Sequence, residues 1–468
     1  MKRVKIVFIG AGSVVFGRNV LADILWHPAL KEADLVLVDI DAERLSTAER
    51  MTHIVNEQLG AGARITATKN RRLALEGADF VINAIGVGGH AAAKIDLELP
   101  ARFGVRQIVG DTLGVGGIFR AVRSVPELLA ICSDMEELCP RALLLNCSNP
   151  MAMHCLAVER TTKVRHVGLC HGVQNTAQTM RLIIAMAQEP AAAVRRHFQR
   201  PWNSPERVRE WQAWLKKSFD PGLSYTCAGI NHMGFFLRFR SKGRDLYPLL
   251  WKAMDIPHIW RFDPVRFELF KRFGYFMTET SGHMAEYVPY FLKNEREIRR
   301  CCLRPAVYLE TCRRQDKEYC NLRRLMKSGQ PIVPMPYEPS VEYAARIINA
   351  SVENVPYVFN GNVHNEGGRW LPNLPGDCCV EVPCVVDKKG PRPLAPIDLP
   401  PQCAALIRTN VNVQDLAVRG ILEGDRRYIH QAIMLDPNTA SSLTLPEIDR
   451  VVEAMFKAHA KRLPRNLR

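Results

Sequence analysis

The ten residues VKIVFIGAGS, from Val4 to Ser13, limit the possible folds of this chain more than any other stretch. An apolar, β-branched run of this kind reads as a strand buried on both faces, as in a parallel sheet. It ends in Gly10-Ala11-Gly12. The following VVFGRNVLADILWH carries Val15, Val20, Ile24 and Leu25 at helical spacing. Gly10 permits a tight turn, and Gly12 lets the backbone approach a pyrophosphate at the helix N-terminus. Val15 stands where a third glycine would complete the dinucleotide fingerprint, so the glycine pair needs support from its context.

That support follows in the chain. ADLVLVDID is a second strand ending at Asp39, 27 positions after Gly12. A carboxylate there suits the ribose 2′-hydroxyl of NAD and repels the 2′-phosphate of NADP. ADFVINAIG is a third strand, and RALLLNCSNP a further one that ends at Asn149-Pro150. Asn149 faces the crevice at a strand's carboxyl end, where it can bond a nicotinamide ribose and a substrate hydroxyl, or it simply forms the turn before proline. The repetition predicts an α/β fold whose first domain, residues 1–190, is Rossmann-like and doubly wound; such a sheet without a nucleotide is the alternative. Residues 191–468 read as an α+β domain supplying a substrate pocket and an oligomer surface. In it CCVEVPCVVD alternates as a strand, and LTLPEIDRVVEAMFKAHAKRL is a last helix starting after Thr444 with Pro446 in its first turn.

Composition narrows the partners. The net charge of +15 raises the question of nucleic acid. The basic residues are dispersed, however, and no recognition-helix or zinc-finger spacing accompanies them. A solvated basic surface, or attraction of an anionic substrate, accounts for the charge. No apolar run reaches the ~18 residues of a membrane span. The N-terminal apolar run, Ile6 to Ile9, is too short for a signal peptide. The 14 cysteines lack a repeated metal spacing, so the expectation is a cytoplasmic protein whose cysteines are mostly thiols.

Several stretches carry candidate chemistry. Gly114, Gly116 and Gly117 predict a flexible loop before the helix IFRAVRSVPELLAI, and Asp111 just upstream is either a catalytic acid or a helix-start residue. In VGLCHGVQNTA, Cys170 and His171 are a metal site, a nucleophile with its base, or core neighbours. Cys170 and the distant His232 of CAGINHM each close a strand in a glycine-containing turn. Thiolate and imidazole, completed by substrate oxygens and water, suit a divalent transition metal in an open site. Two protein ligands hold it weakly, so the substrate must complete its shell. GYFMTETSGHMAEYVPYF concentrates Glu279, His283, Glu286, Tyr287 and Tyr290. A tyrosine is a general base if a metal or lysine lowers its pKa, or else packs as an aromatic pair at i and i+3.

Taken together, FIGAGS, DTLGVGGIFRA, NPMAM, VGLCHGVQ, CAGINHM, AEYVPYF, NLPGDCCVEVPC and TNVNVQ resemble the NAD- and manganese-dependent family 4 glycoside hydrolases over nearly the full length. The resemblance is strongest to their α-galactosidase branch. It implies an architecture like that of lactate and malate dehydrogenases, and NAD and Mn2+ (or another divalent transition metal) as cofactors. It implies cleavage of an α-glycoside by transient oxidation at C3, loss of the C2 proton, elimination at C1 and addition of water. The implied metal ligands are Cys170 and His232, the base Tyr287, and the proton donor to the leaving oxygen Asp111. Gly10, Gly12, Ser13, Asp39, Asn83 and Asn149 fall on the cofactor side, and Asn149, His171 and Asn231 on the substrate side. Homodimers or homotetramers are implied as well. The α-galactosidase branch carries serine where this chain has Gly172, which keeps an α-glucoside or an α-linked uronide as alternatives. His171 in place of an aspartate argues against phosphosugars. Outside the family, a 2-hydroxy acid dehydrogenase or a non-catalytic nucleotide-binding regulator would share the first domain.

Overall fold

The computed structural model describes residues 3–200 and 204–468. Its strands are β1 (Lys5–Ile9), β2 (Asp34–Val38), β3 (Arg64–Thr68), β4 (Phe80–Asn83), β5 (Leu143–Asn146), β6 (Arg165–Gly168), β7 (Leu223–Ile230), β8 (Met233–Ser241), β9 (Arg244–Asp245), β10 (Phe276–Met277), β11 (Tyr357–His364), β12 (Cys379–Val386) and β13 (Arg392–Pro393). Among the described residues they form one sheet, ordered β10-β8-β7-β12-β11-β6-β5-β4-β1-β2-β3, with β13 on β12 and β9 on β8.

The strands from β6 to β3 are all parallel. Their order reverses at β1, and β1 and β4 diverge there into a crevice at their carboxyl ends. This half is Rossmann-like, as the alternation of strands and helices predicts. Val7, Ile82, Leu144 and Leu145 are fully buried, because helices cover both faces. Beyond β6 every pairing is antiparallel, and β7 and β8 form a hairpin that turns at Asn231 and His232.

Two glycine-rich segments show different uses of the residue. Gly10 sits at φ +88°, and a Cβ there would lie 2.6 Å from the carbonyl carbon of Ala84. Both the turn and the neighbouring strand end therefore require glycine. Gly114, Gly116 and Gly117 are not the flexible loop expected from the sequence. They form the first turns of a helix running from Gly114 to Leu138. A Cβ at Gly116 would sit 2.9 Å from the Asp96 carbonyl oxygen, and one at Gly117 would sit 2.5 Å from the Thr112 carbonyl carbon. Close backbone packing, not mobility, selects glycine there.

A buried ionic triangle ties three helices together. Asp96, on the helix Gly89–Arg102, accepts from Arg123 at 3.0 and 2.7 Å. His459, at the end of the helix Leu445–His459, approaches the same carboxylate at 2.9 Å. That last helix starts after Thr444 with Pro446 in its first turn, as expected, and carries a capping box to Glu447. Among the described residues, no helix is long and apolar enough to cross a membrane. Asp96→Ala leaves the Arg123 guanidinium buried without its partner, which costs about 3–5 kcal/mol. Urea denaturation of the variant should show a loss of that size, and a loss below about 1 kcal/mol would contradict this account of the triangle.

Candidate active site

The crevice is built from strand ends. After β1, Gly12 donates its amide to Asp39 Oδ2 at 2.7 Å, and Asp41 donates its amide to Asp39 Oδ1 at 2.9 Å. Asp39 is thus pinned beside the glycine turn with lone pairs remaining for a hydroxyl. Ser13 is exposed at the N-terminus of the helix Val14–Trp26, and its side chain caps nothing. Beside Asp39, Ile40 is 89% exposed, an apolar surface at the mouth of the crevice. Glycine turn, free helix N-terminus and pinned carboxylate fit a dinucleotide. Asn83 lies deeper: it is fully buried and donates to Asn146 Oδ1 at 2.8 Å, supporting the floor between β4 and β5.

The second cluster gathers where β6 meets the β7–β8 hairpin. Cys170 follows β6, and its backbone is held by Tyr343, whose hydroxyl accepts from Cys170 N at 3.0 Å. Cys170 Sγ lies 3.2 Å from His232 Nε2, so residues 62 positions apart in sequence come together as the motifs predict. Thr112 donates its hydroxyl proton to Asp111 Oδ1 at 2.8 Å. It therefore accepts from His232 Nδ1, 3.0 Å away. That fixes the tautomer with the proton on Nδ1 and the Nε2 lone pair aimed at Cys170. Burial lowers the pKa of His232 further and keeps the imidazole neutral, as a metal ligand must be.

Glu279 completes this corner. Its Oε1 lies 3.8 Å from Cys170 Sγ and 3.7 Å from His232 Nε2, and its Oε2 lies 3.2 Å from His283 Nδ1. Burial, with the Glu279 charge, pushes the Cys170 thiol well above its ordinary range. A thiol so placed ionises when a cation joins it. Nearby Asn231 is 1% exposed, and neither of its amide atoms has a hydrogen-bond partner among the described residues. Facing donor groups and an orphaned buried amide fit a divalent cation with a polar ligand at its open positions.

Asp111 closes the opposite side. Its Oδ2 accepts from Asn149 Nδ2 at 2.9 Å, and His283 Nε2 lies 3.5 Å from its Oδ1. Burial pushes the Asp111 carboxyl up, but His283 and the Arg120 guanidinium outweigh it and hold the group well below the carboxylate range. Burial likewise opposes ionisation of Glu279, but the protonated His283 hydrogen-bonded to it holds it below the ordinary carboxylate range. Burial lowers His283 too, but the flanking Asp111 and Glu279 carboxylates drive it well above the ordinary histidine range. The proton at this corner therefore resides on His283. Tyr287 is 2% exposed, and its hydroxyl lies 3.3 Å from His232 Nδ1. Burial and the Asp111 charge push that phenol well above its usual range. His171 stands apart from this centre, half-exposed and paired with Glu342 at 2.9 Å. The 2.9 Å approach of Glu342 raises the His171 pKa.

The structure thus brings Asp111, Asn149, Cys170, Asn231, His232 and Tyr287 into one cluster, with Asp39 and the glycine turn at its cofactor end. The motif spacing did not single out Glu279, His283 and Thr112. The density of functional side chains in GYFMTETSGHMAEYVPYF was the available signal for the first two. Below the cluster, burial and the Glu279 charge push Glu381 up to about 8. The folded carboxyl then keeps a proton that the unfolded chain releases above pH about 4.5, so its contribution is full below that value and is lost as pH rises through about 8. Glu381→Gln should flatten the fall in melting temperature between pH about 5 and 8 in the metal-free protein. The parts from Glu286, pushed up by burial to about 7, and from Asp436, pushed up by burial to about 6, should remain. An unchanged slope would rule this assignment out.

Comparisons with known proteins identify the family and the fold. The sequence model of the family 4 glycosyl hydrolases matches residues 5–186, and that of their C-terminal domain matches residues 227–439. An α-galactosidase of Bacillus subtilis is 37% identical over 98% of this chain and 99% of its own. An α-galactosidase of Rhizobium meliloti is 34% identical over 99% of this chain and 90% of its own. The fold is shared with a 6-phospho-α-glucosidase from gut microorganisms solved in complex with NAD and Mn2+. That structure aligns at TM-score 0.75 and 20% identity, covering 99% of each chain.

Proposed function

The chain belongs to the family 4 glycosyl hydrolases, and from that premise we propose that it hydrolyses α-galactosides with NAD and a divalent metal, Mn2+ or a similar ion, as cofactors. The observation that carries this reading is the 3.2 Å meeting of Cys170 and His232 beside Tyr287, one strand end away from a dinucleotide crevice. When bound, the cofactors supply reversible hydride abstraction and Lewis-acid polarisation of the carbonyl so formed.

The remaining tasks fall to side chains. As its phenolate, Tyr287 removes the C2 proton of the sugar through its oxygen and becomes the neutral phenol. The proton on His232 Nδ1 points between that oxygen and Thr112, and donation to a phenolate favours its charged form. Asp111, held ionised, orients Asn149 through its Oδ2 and borders His283 through its Oδ1. The expectation that Asp111 itself carries the leaving-group proton becomes, in this reading, a shared duty: Asp111 aims the site and His283 holds the proton. Asn149 and Asn231 bind sugar hydroxyls, and His171, positioned by Glu342, contacts the sugar from the rim.

Charge favours a neutral sugar. Asp111 and Glu279 are ionised in the pocket wall, and Glu342 stands at its edge, so a further carboxylate on the substrate meets repulsion. Gly172 is the observation that keeps an α-linked uronide or α-glucoside as the second reading. We also read residues 1–190 as the nucleotide-binding part and 191–468 as the substrate and oligomerisation part of a cytoplasmic homodimer or homotetramer. The unpaired state of all 14 cysteines supports a reducing compartment.

Incubation with p-nitrophenyl α-galactoside, NAD+, Mn2+ and reductant should release nitrophenol without steady accumulation of NADH. Release from the α-glucuronide or α-galacturonide alone would transfer the assignment to a uronidase, and stoichiometric NADH would indicate a dehydrogenase. Tyr287→Phe should lower kcat by ~10²-fold or more, within the usual range for loss of a general base, while binding of NAD+ stays at the wild-type level.

A further inference from the structure

We propose that Glu279 is a third protein ligand of the metal centre, and that Gly172 is the residue that admits it. The inference rests on the metal-centre reading above and adds to it a ligand and the condition for its presence.

The geometry is convergent. Cys170 Sγ, His232 Nε2 and a Glu279 carboxylate oxygen all lie within 4.8 Å of one another. The other Glu279 oxygen is engaged by His283 at 3.2 Å, which turns Oε1 toward the thiol and the imidazole. The backbone is committed to this arrangement. Glu279 sits at φ +71°, in the left-handed region that side-chain-bearing residues rarely enter. Its amide is fixed there by Thr176 Oγ1 at 3.1 Å. Thr176 lies on the helix Gly172–Ala187, so the same helix that starts beside Cys170 also anchors Glu279.

Gly172 supplies the space. A Cβ on it would lie 1.9 Å from Glu279 Oε1 and 3.4 Å from Cys170 Sγ. Gly172 does not have positive φ; as the first residue of its helix it can be replaced without backbone strain. The feature that asks for glycine at this position is the Glu279 carboxylate. Because that carboxylate ends a flexible side chain, serine or alanine at 172 would displace it and leave the fold intact.

The chemical consequence is a change in charge and coordination number. Cysteine thiolate and glutamate together balance a divalent cation, and the neutral His232 adds a nitrogen donor. A mixed sulfur, nitrogen and oxygen set suits Mn2+ and its neighbours among the first-row metals. With two protein ligands the sugar must complete the shell before the metal is held. With three, the metal binds ahead of the sugar and still has open positions for its oxygens. A serine at 172 instead leaves a hydroxyl beside the sugar and a two-ligand centre, so the Gly172–Glu279 pair sets metal retention and pocket lining together.

The test is Mn2+ titration of the full-length reduced protein without sugar, reading free Mn2+ by electron paramagnetic resonance, with melting curves as a check on folding. Glu279→Gln should weaken Mn2+ binding by roughly tenfold or more, since loss of even an outer partner costs about 10–100-fold. Gly172→Ser should weaken it to a similar degree, with Gly172→Ala as the smaller replacement if serine impairs folding. The double variant Gly172→Ser/Glu279→Gln should bind no more weakly than the worse single variant, because both changes remove the same ligand. Wild-type affinity in Glu279→Gln, where Cys170→Ser abolishes binding, would overturn the role of Glu279 and leave the metal centre standing. Unchanged affinity in both Gly172 variants would overturn the gating role. A wild-type protein that binds no Mn2+ would overturn the metal centre and this inference with it.

Discussion

The parallel and antiparallel halves of the sheet meet at one register pair, Gly168 of β6 with Asn362 of β11. A Cβ at Gly168 would lie 2.5 Å from Met151 Sδ, 2.7 Å from Cys155 Sγ and 2.8 Å from Asn362 Cβ. Glycine is thus a steric requirement of the seam. Two residues later the chain reaches Cys170, where Tyr343 holds the backbone between β6 and β11. On the other side, the pair Glu381–Gly229 brings the β7–β8 hairpin alongside β12, and with it His232. A shift of either strand would separate thiol and imidazole, so the chemistry is only as well placed as this seam.

Electrostatics then divides the labour within the cluster. Burial acts on every group, and neighbouring charge decides the outcome. Asp111 and Glu279 flank His283 directly and are ionised, while Glu381 has no such cation and Glu286 feels the His283 charge without a hydrogen bond to it, so burial pushes both up toward neutrality. Cys170 and Tyr287 are both raised by burial and by surrounding carboxylates. Each would gain from a positive charge at the donor cluster. A divalent cation at the donor cluster would relieve the excess of negative charge that these groups carry.

Much of this was legible along the chain. Strand, glycine turn and helix from Val4 onward have local signatures, because backbone periodicity and positive φ are properties of short segments. Asp39 at a strand end and Thr444 at a helix start were readable for the same reason. The glycines at 114, 116 and 117 were misleading: a glycine run indicates permissive backbone, yet here it marks close packing against Gln107, Asp96 and Thr112, and the approach of Asp96 lies outside the local pattern. His171 illustrates the reverse case. Adjacent to Cys170 in sequence, it points away to Glu342, since side chains on either side of a helix start diverge.

From residue order alone followed the α/β class, the expectation of a dinucleotide crevice, and Cys170 and His232 as candidate metal ligands to be joined by folding. These rest on residue type and spacing, which local sterics and coordination chemistry restrict strongly. The protonation states of Asp111 and His283, the His232 tautomer and the approach of Glu279 to Gly172 emerged with the assembled chain. They depend on distances between residues 62 to 172 positions apart, and on how far burial weakens the screening of one charge by water. Such distances are set where whole strands and helices pack, and no short window of sequence contains them.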